Sequence, residues 1–141
     1  MIRRRWSSFS PWTIAPAIAV LSLMASLALL VPATAQAPDL AGSWSGGGSV
    51  SFGGGRETVR CRAHYTRTSK GSYLLSATCA TPSGRASQTA TLRHVGGSTF
   101  QGGFYNSEYN VSGTISVVVR GSGQTVRLSS DAGYASFELR R

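Results

Sequence analysis

Acidic side chains are scarce in this 141-residue chain: Asp39, Glu57, Glu108, Asp131 and Glu138 are all it has. They fall in five separate segments, which leaves little from which to build a paired-carboxylate site for general acid–base chemistry. Histidine is scarcer still, with only His64 and His94. No Gly-x-Ser-x-Gly elbow occurs, so a serine nucleophile with a poised base has no support, and the expectation is a protein that is not an enzyme. The only two cysteines, Cys61 and Cys79, lie 18 apart with no CxxC pair, and the two histidines do not complete a zinc pattern. No metal and no cofactor are therefore expected. Beyond residue 36 no segment sustains a 3.6-residue apolar repeat, so that part is expected to contain no helix.

What the chain does have begins with a three-part leader. Arg3, Arg4 and Arg5 precede a nearly continuous apolar run from Ile14 to Val31, and small residues follow at Ala33-Thr34-Ala35 and Ala35-Gln36-Ala37. This is the pattern of a helical, cleaved signal peptide over residues 1–35. Cleavage after Ala35 is favoured over Ala37, which would leave Pro38 first. The alternatives are an uncleaved membrane anchor, for which 18 apolar residues are near the lower limit, and a twin-arginine export signal. No cysteine follows the run, which argues against a lipid anchor. A bacterial periplasmic or secreted location is expected, with no stable membrane anchor once the leader is cut.

Without the leader, eleven basic residues face the five acids, a net charge of about +6. The basic groups are nearly all arginine and are spread along the chain. Such a surface favours anionic partners, and equally serves solubility.

The strongest structural pattern lies between Val59 and Cys79. Val59, Cys61, Ala63 and Tyr65 alternate with Arg60, Arg62, His64 and Thr66, and Tyr73, Leu75, Ala77 and Cys79 alternate on the way back. Period-2 alternation marks a half-buried strand. With Thr68–Ser72 as the loop, Tyr65 faces Leu75, Ala63 faces Ala77 and Cys61 faces Cys79. Directly opposed residues sit close enough for a disulfide, and pairing is the default in an exported chain. Similar short alternating segments recur at Trp44–Phe52, Ala86–Arg93, Thr99–Tyr105, Tyr109–Arg120, Gln124–Ser129 and Tyr134–Arg140, separated by Gly-, Ser-, Asn- or Asp-rich turns.

The expectation is an all-β domain over residues 42–141, preceded by an extended segment at 36–41. Eight strands with short connections suit an eight-stranded antiparallel up-and-down barrel, with a β-sandwich as the alternative. Small inward positions (Ala63, Ala77, Ala90, Gly102, Gly113, Ala135) leave either a cavity or a narrow closed interior. With strands of about seven residues, a core filled by Trp44, Phe52, Phe100 and Phe137 is favoured.

Gly42-Ser43-Trp44 at the start of the first strand resembles the Gly-x-Trp signature of the calycin group, the lipocalin and avidin-type barrels. The resemblance implies that Trp44 packs across the closed end of a barrel. Leu40-Ala41-Gly42-Ser43-Trp44, followed by Cys61 and Cys79, is also similar to the bacterial periplasmic inhibitors of secreted metalloproteases. There, the segment before the barrel occupies the protease cleft, which implies an inhibitory role for Pro38, Asp39 and Leu40.

Two further surfaces are candidates. Arg60, Arg62 and His64 share the outer side of one strand, with Arg67 at its end, and would suit an anionic envelope polymer. Aromatics are not interleaved with them, so no specific nucleic-acid binding is expected. Phe104, Tyr105 and Tyr109 around Asn106 form a candidate ligand rim. The function expected is a non-catalytic, calycin-like module binding a small ligand or an anionic envelope component, with protease inhibition as the alternative.

Overall fold

The computed structural model describes Leu30 and residues 36–141, so the expected leader, Leu30 aside, lies outside the described residues. β-Branched and aromatic residues at alternate positions, punctuated by turn formers, give eight strands. These are β1 (Gly42–Phe52), β2 (Gly55–Ser69), β3 (Ser72–Thr81), β4 (Gly84–Gly96), β5 (Thr99–Asn106), β6 (Val111–Arg120), β7 (Gly123–Ser130) and β8 (Gly133–Arg140). Each pairs antiparallel with the next, and β1 also pairs with β8, so the sheet closes into a barrel with no free edge. The sandwich alternative is thereby excluded.

The stapled hairpin has the expected register, with Cys61 opposite Cys79, Ala63 opposite Ala77 and Tyr65 opposite Leu75. Cys61 and Cys79 are joined, 4.1 Å apart at Cα. The ladder runs further than the expected loop allows: it passes an irregularity between Arg67 and Ser69 and closes at Ser69–Ser72 around Lys70-Gly71. At the opposite end, Gly53 and Gly54 both take positive φ (57° and 79°) in the two-residue turn between β1 and β2. That conformation matches the twist of the flanking strands and is open to glycine without strain.

Because the turns alternate between ends, the barrel has two distinct ends. At one end lie the chain's approach through residues 36–41 and the turns β2–β3, β4–β5 and β6–β7. Here Leu40, Trp44, Tyr65, Tyr73, Leu92 and Phe100 are buried and close the interior. The Trp44 indole N–H donates to the Leu40 carbonyl (2.9 Å), and the Arg141 guanidinium lies 4.5 Å from the indole ring centre. The hairpin tips are stitched to the next strand around: His94 N–H donates to Gly71 O and Val119 N–H to Ser98 O.

The other end is open. The expectation of a filled core therefore holds for one half only. Phe52, placed in the core from its alternation, does face inward, but at 45 % exposure it stands on the lip. Strands of 8–15 residues are longer than the seven on which a filled barrel was argued. Beyond the level of the disulfide, the inward positions include small residues, Ala86 and Ala135, that border free space. Inward glycines also let strands bend tightly. A Cβ on Gly102 would run into the Thr91 carbonyl, and one on Gly46 into that of Glu138.

Candidate functional site

The open end encloses a cavity of about 440 Å³. All eight strands line it, through Val50, Val59, Cys79, Ala86, Phe104, Val111, Leu128 and Ala135 among others. Towards the middle of the barrel the free space shrinks to about 20 Å³, so the cavity has a floor. The disulfide forms part of that floor: Cys79 lines the cavity and Cys61 the small space beneath.

Apolar surface dominates the wall, and the polar groups are few and placed at distinct depths. Gln88 donates its side-chain N–H to Cys79 Sγ (3.2 Å), so its carbonyl oxygen is the end offered to a guest. Asn106 accepts the Tyr109 backbone N–H (3.2 Å) through Oδ1, which leaves its amide nitrogen for the cavity. Thr81 and Ser130 add hydroxyls near the lip. Glu57 faces inward from β2 beside the mouth and binds the Ser83 hydroxyl through Oε1, while its Oε2 is buried without a partner. The aromatic part of the lip comes from Phe52 and Tyr109, whose rings lie 6.3 Å apart at a 40° tilt, and from Tyr134.

The mouth is not basic, although the domain is. The open-end turns and the strand residues next to them carry Arg56 and Arg85 against Glu57, Glu108 and Asp131, a net charge of −1. Glu108 is held below the usual carboxylate range, chiefly by accepting the Ser87 backbone N–H (2.8 Å). It therefore stays ionised at neutral pH.

The structure separates residues that the sequence reading grouped. Of the rim candidates, Phe104 is buried in the cavity wall and Tyr109 stands on the lip. Tyr105 points to the outer face, where its hydroxyl donates to Asn110 Oδ1 (3.2 Å). Arg60, Arg62 and His64 lie in a row on the outer wall of β2, and His64 Nδ1 is 3.2 Å from the hydroxyl of Ser43 directly opposite. Arg67 belongs to the other face. Its guanidinium pairs with Asp39 (3.0 Å) and donates to the Tyr73 hydroxyl (3.0 Å) at the closed end. Among the described residues, no group of three His, Cys, Asp or Glu side chains could hold a metal.

Pro38, Asp39 and Leu40 do not form a loose strip. Leu40 is wholly buried as a plug. Asp39 Oδ1 accepts the Ala41 backbone N–H (2.9 Å) and the Tyr73 hydroxyl (2.8 Å) as well as Arg67. These contacts lower the Asp39 pKa to about 2, the Ala41 N–H being the largest cause.

The sequence reading missed Gln88 and Tyr134 as cavity residues, took Asn106 only as the centre of a rim, and placed Phe52 in a filled core rather than at a lip. Alternation would have placed Gln88 and Asn106 on the inner face, as it did Phe52, but no pattern distinguishes an inward residue at the lip from one in a packed layer. It also missed Gln124, which is buried at the closed end and accepts the Tyr65 hydroxyl proton (3.0 Å).

No protein-family model and no curated protein sequence matches the chain. Solved structures do match its fold. A redesigned β-barrel, mFAP1, bound to DFHBI superposes with a TM-score of 0.62 at 15 % identity, covering 72 % of this chain and 94 % of that one. A de novo designed fluorescence-activating β-barrel superposes with a TM-score of 0.57 at 15 % identity, covering 72 % and 92 %. At this identity the likeness is one of fold.

Proposed function

We propose that this chain is an exported, non-catalytic binding protein whose open-ended barrel takes up a small, largely apolar molecule that is uncharged or cationic. The observation that carries the reading is the cavity of about 440 Å³, floored by packed side chains and open at one end. Pockets for small molecules are concave, mostly apolar and provided with a few placed polar groups. Here Gln88 offers an acceptor inside the cavity and Asn106 a donor near the lip. Aromatic rings at Phe52, Phe104, Tyr109 and Phe137 favour a flat guest. The net negative mouth disfavours an anion despite the basic character of the domain as a whole.

The comparison supports this reading by likeness of fold, since mFAP1 carries the small molecule DFHBI. The Gly42-Ser43-Trp44 start supports a calycin-like assignment, because Trp44 lies across the closed end beneath Arg141. Docking of Asp39 and Leu40 to the barrel places the weight on the cavity rather than on the N-terminal segment.

The test is titration with the uncharged fluorophore N-phenyl-1-naphthylamine. Its emission should rise on binding, and Ala86→Trp, which fills the cavity from β4, should weaken binding by about tenfold or more, a difference of about 1.4 kcal/mol. Absence of binding, or unchanged binding in a folded Ala86→Trp variant, overturns the reading.

A further inference from the structure

The charge that is missing from the mouth is collected at the other end. Arg67 and Lys70 sit at the β2–β3 tip, Arg93 near the end of β4, Arg120 at the end of β6, and Arg140 and Arg141 at and just past the end of β8. All six are exposed. Asp39 and, two residues in from the end of β8, Glu138 are the acids near them. Asp39 is matched by Arg67, and Arg141 lies over Trp44, which leaves Lys70, Arg93, Arg120 and Arg140 without an ion pair among the described residues.

These four are not on one strand or along a groove that tracks a thread-like polymer. Alternating turns of a closed barrel carry them around the circumference of one end, Lys70 at a hairpin tip and Arg93, Arg120 and Arg140 on the outer face near the ends of three different strands. Their long, flexible side chains can reach past the rim, so a flat anionic surface covering that end can meet the whole ring. An extended polymer crossing the end would reach only part of it. Two features of the same end fit a lipid surface. Val95, beside the β4–β5 tip, is 56 % exposed and presents an apolar side chain there. A groove between residues 36–38 and Lys70, Arg93 and His94, walled by Tyr73 and Phe100, has about 380 Å³ of room for a headgroup.

We propose that the closed end docks on a bilayer rich in anionic headgroups, holding the open mouth away from the membrane. The attraction is electrostatic, since each Lys or Arg near an anionic leaflet adds to it, and it is weakened by salt. This surface is separate from the cavity and does not depend on what the cavity binds.

The test is sedimentation of the chain, purified from cells that export it, with vesicles of phosphatidylethanolamine containing one quarter phosphatidylglycerol. Two folded variants are compared: K70Q/R93Q/R120Q/R140Q, which neutralises the closed end, and R60Q/R62Q/R127Q, which neutralises the wall. The closed-end variant should lose vesicle binding by about tenfold or more, while the wall variant stays close to the parent, and vesicles of phosphatidylcholine alone should bind neither. Similar losses in both variants would mean that net charge alone drives binding and overturn the proposal. So would unchanged binding in the closed-end variant, or no binding at all.

Discussion

Asp39 shows how one exposed carboxylate can be given a structural task. Three donors converge on its Oδ1, from the Ala41 backbone, Tyr73 and Arg67, and its pKa falls to about 2 from an ordinary 3.8. The unfolded chain therefore binds more protons than the folded one between those two values. The stabilisation is fully present above about pH 4 and is lost as the pH falls towards 2. With the Asp39 and Arg67 side chains both about half exposed, solvent screening holds the contribution to about 1 kcal/mol or less. Asp39→Asn should lower the melting temperature slightly at neutral pH and flatten its fall between pH 4 and pH 2. An unchanged slope in that window would mean that the tether contributes nothing. The Tyr65–Gln124 pair is the buried counterpart. Burial drives the Tyr65 phenol pKa upward, and the neutral hydroxyl donates to the Gln124 carbonyl. The Gln124 side-chain N–H group is left buried without a partner, a cost of about 1–3 kcal/mol that the surrounding packing has to offset.

The β2–β3 hairpin was legible because several independent signals met in it. Alternation gave the faces, the turn residues gave the reversal, and the two cysteines accept one register among the possibilities. Removing the staple with Cys61→Ala and Cys79→Ala together should cost about 3 kcal/mol by the loop-closure argument. Denaturant titration would read this as a lower midpoint, with a somewhat steeper slope because the unfolded chain without the cross-link exposes more surface. The same change alters the cavity floor, so N-phenyl-1-naphthylamine binding should weaken as well, whereas the Asp39 tether, at the far end of the barrel, should keep its pH dependence. β1 was less legible for the opposite reason. Gly46, Gly47 and Gly48 carry no side chains to alternate, so the periodic signal fades in the middle of the strand. The need for glycine arises from backbone neighbours on β8 that are distant in sequence, the Glu138 carbonyl at Gly46 and the Ser136 carbonyl at Gly48.

At the scale of the whole molecule, the barrel could be read from strand number and short connections, but the division of its interior could not. Whether Phe52 fills a core or frames a mouth depends on strand stagger and on what stands opposite it across the axis. Both are properties of closure rather than of any one strand. Closure also sets how a guest must act on stability. Each of the eight strands supplies part of the cavity wall, and opening any of them breaks the ring of pairing. A guest that binds only the closed barrel stabilises it by RT ln(1 + [L]/Kd), about 2.7 kcal/mol at a hundred times Kd. Under N-phenyl-1-naphthylamine at that excess, the slowest-exchanging amides of all eight strands should therefore slow together, by about a hundredfold. Hydrogen exchange resolved by residue would check this. Slowing confined to β1, β2 and β3 would mean that the probe sits on the outside of one sheet segment, and the interior cavity would lose its role as the binding site.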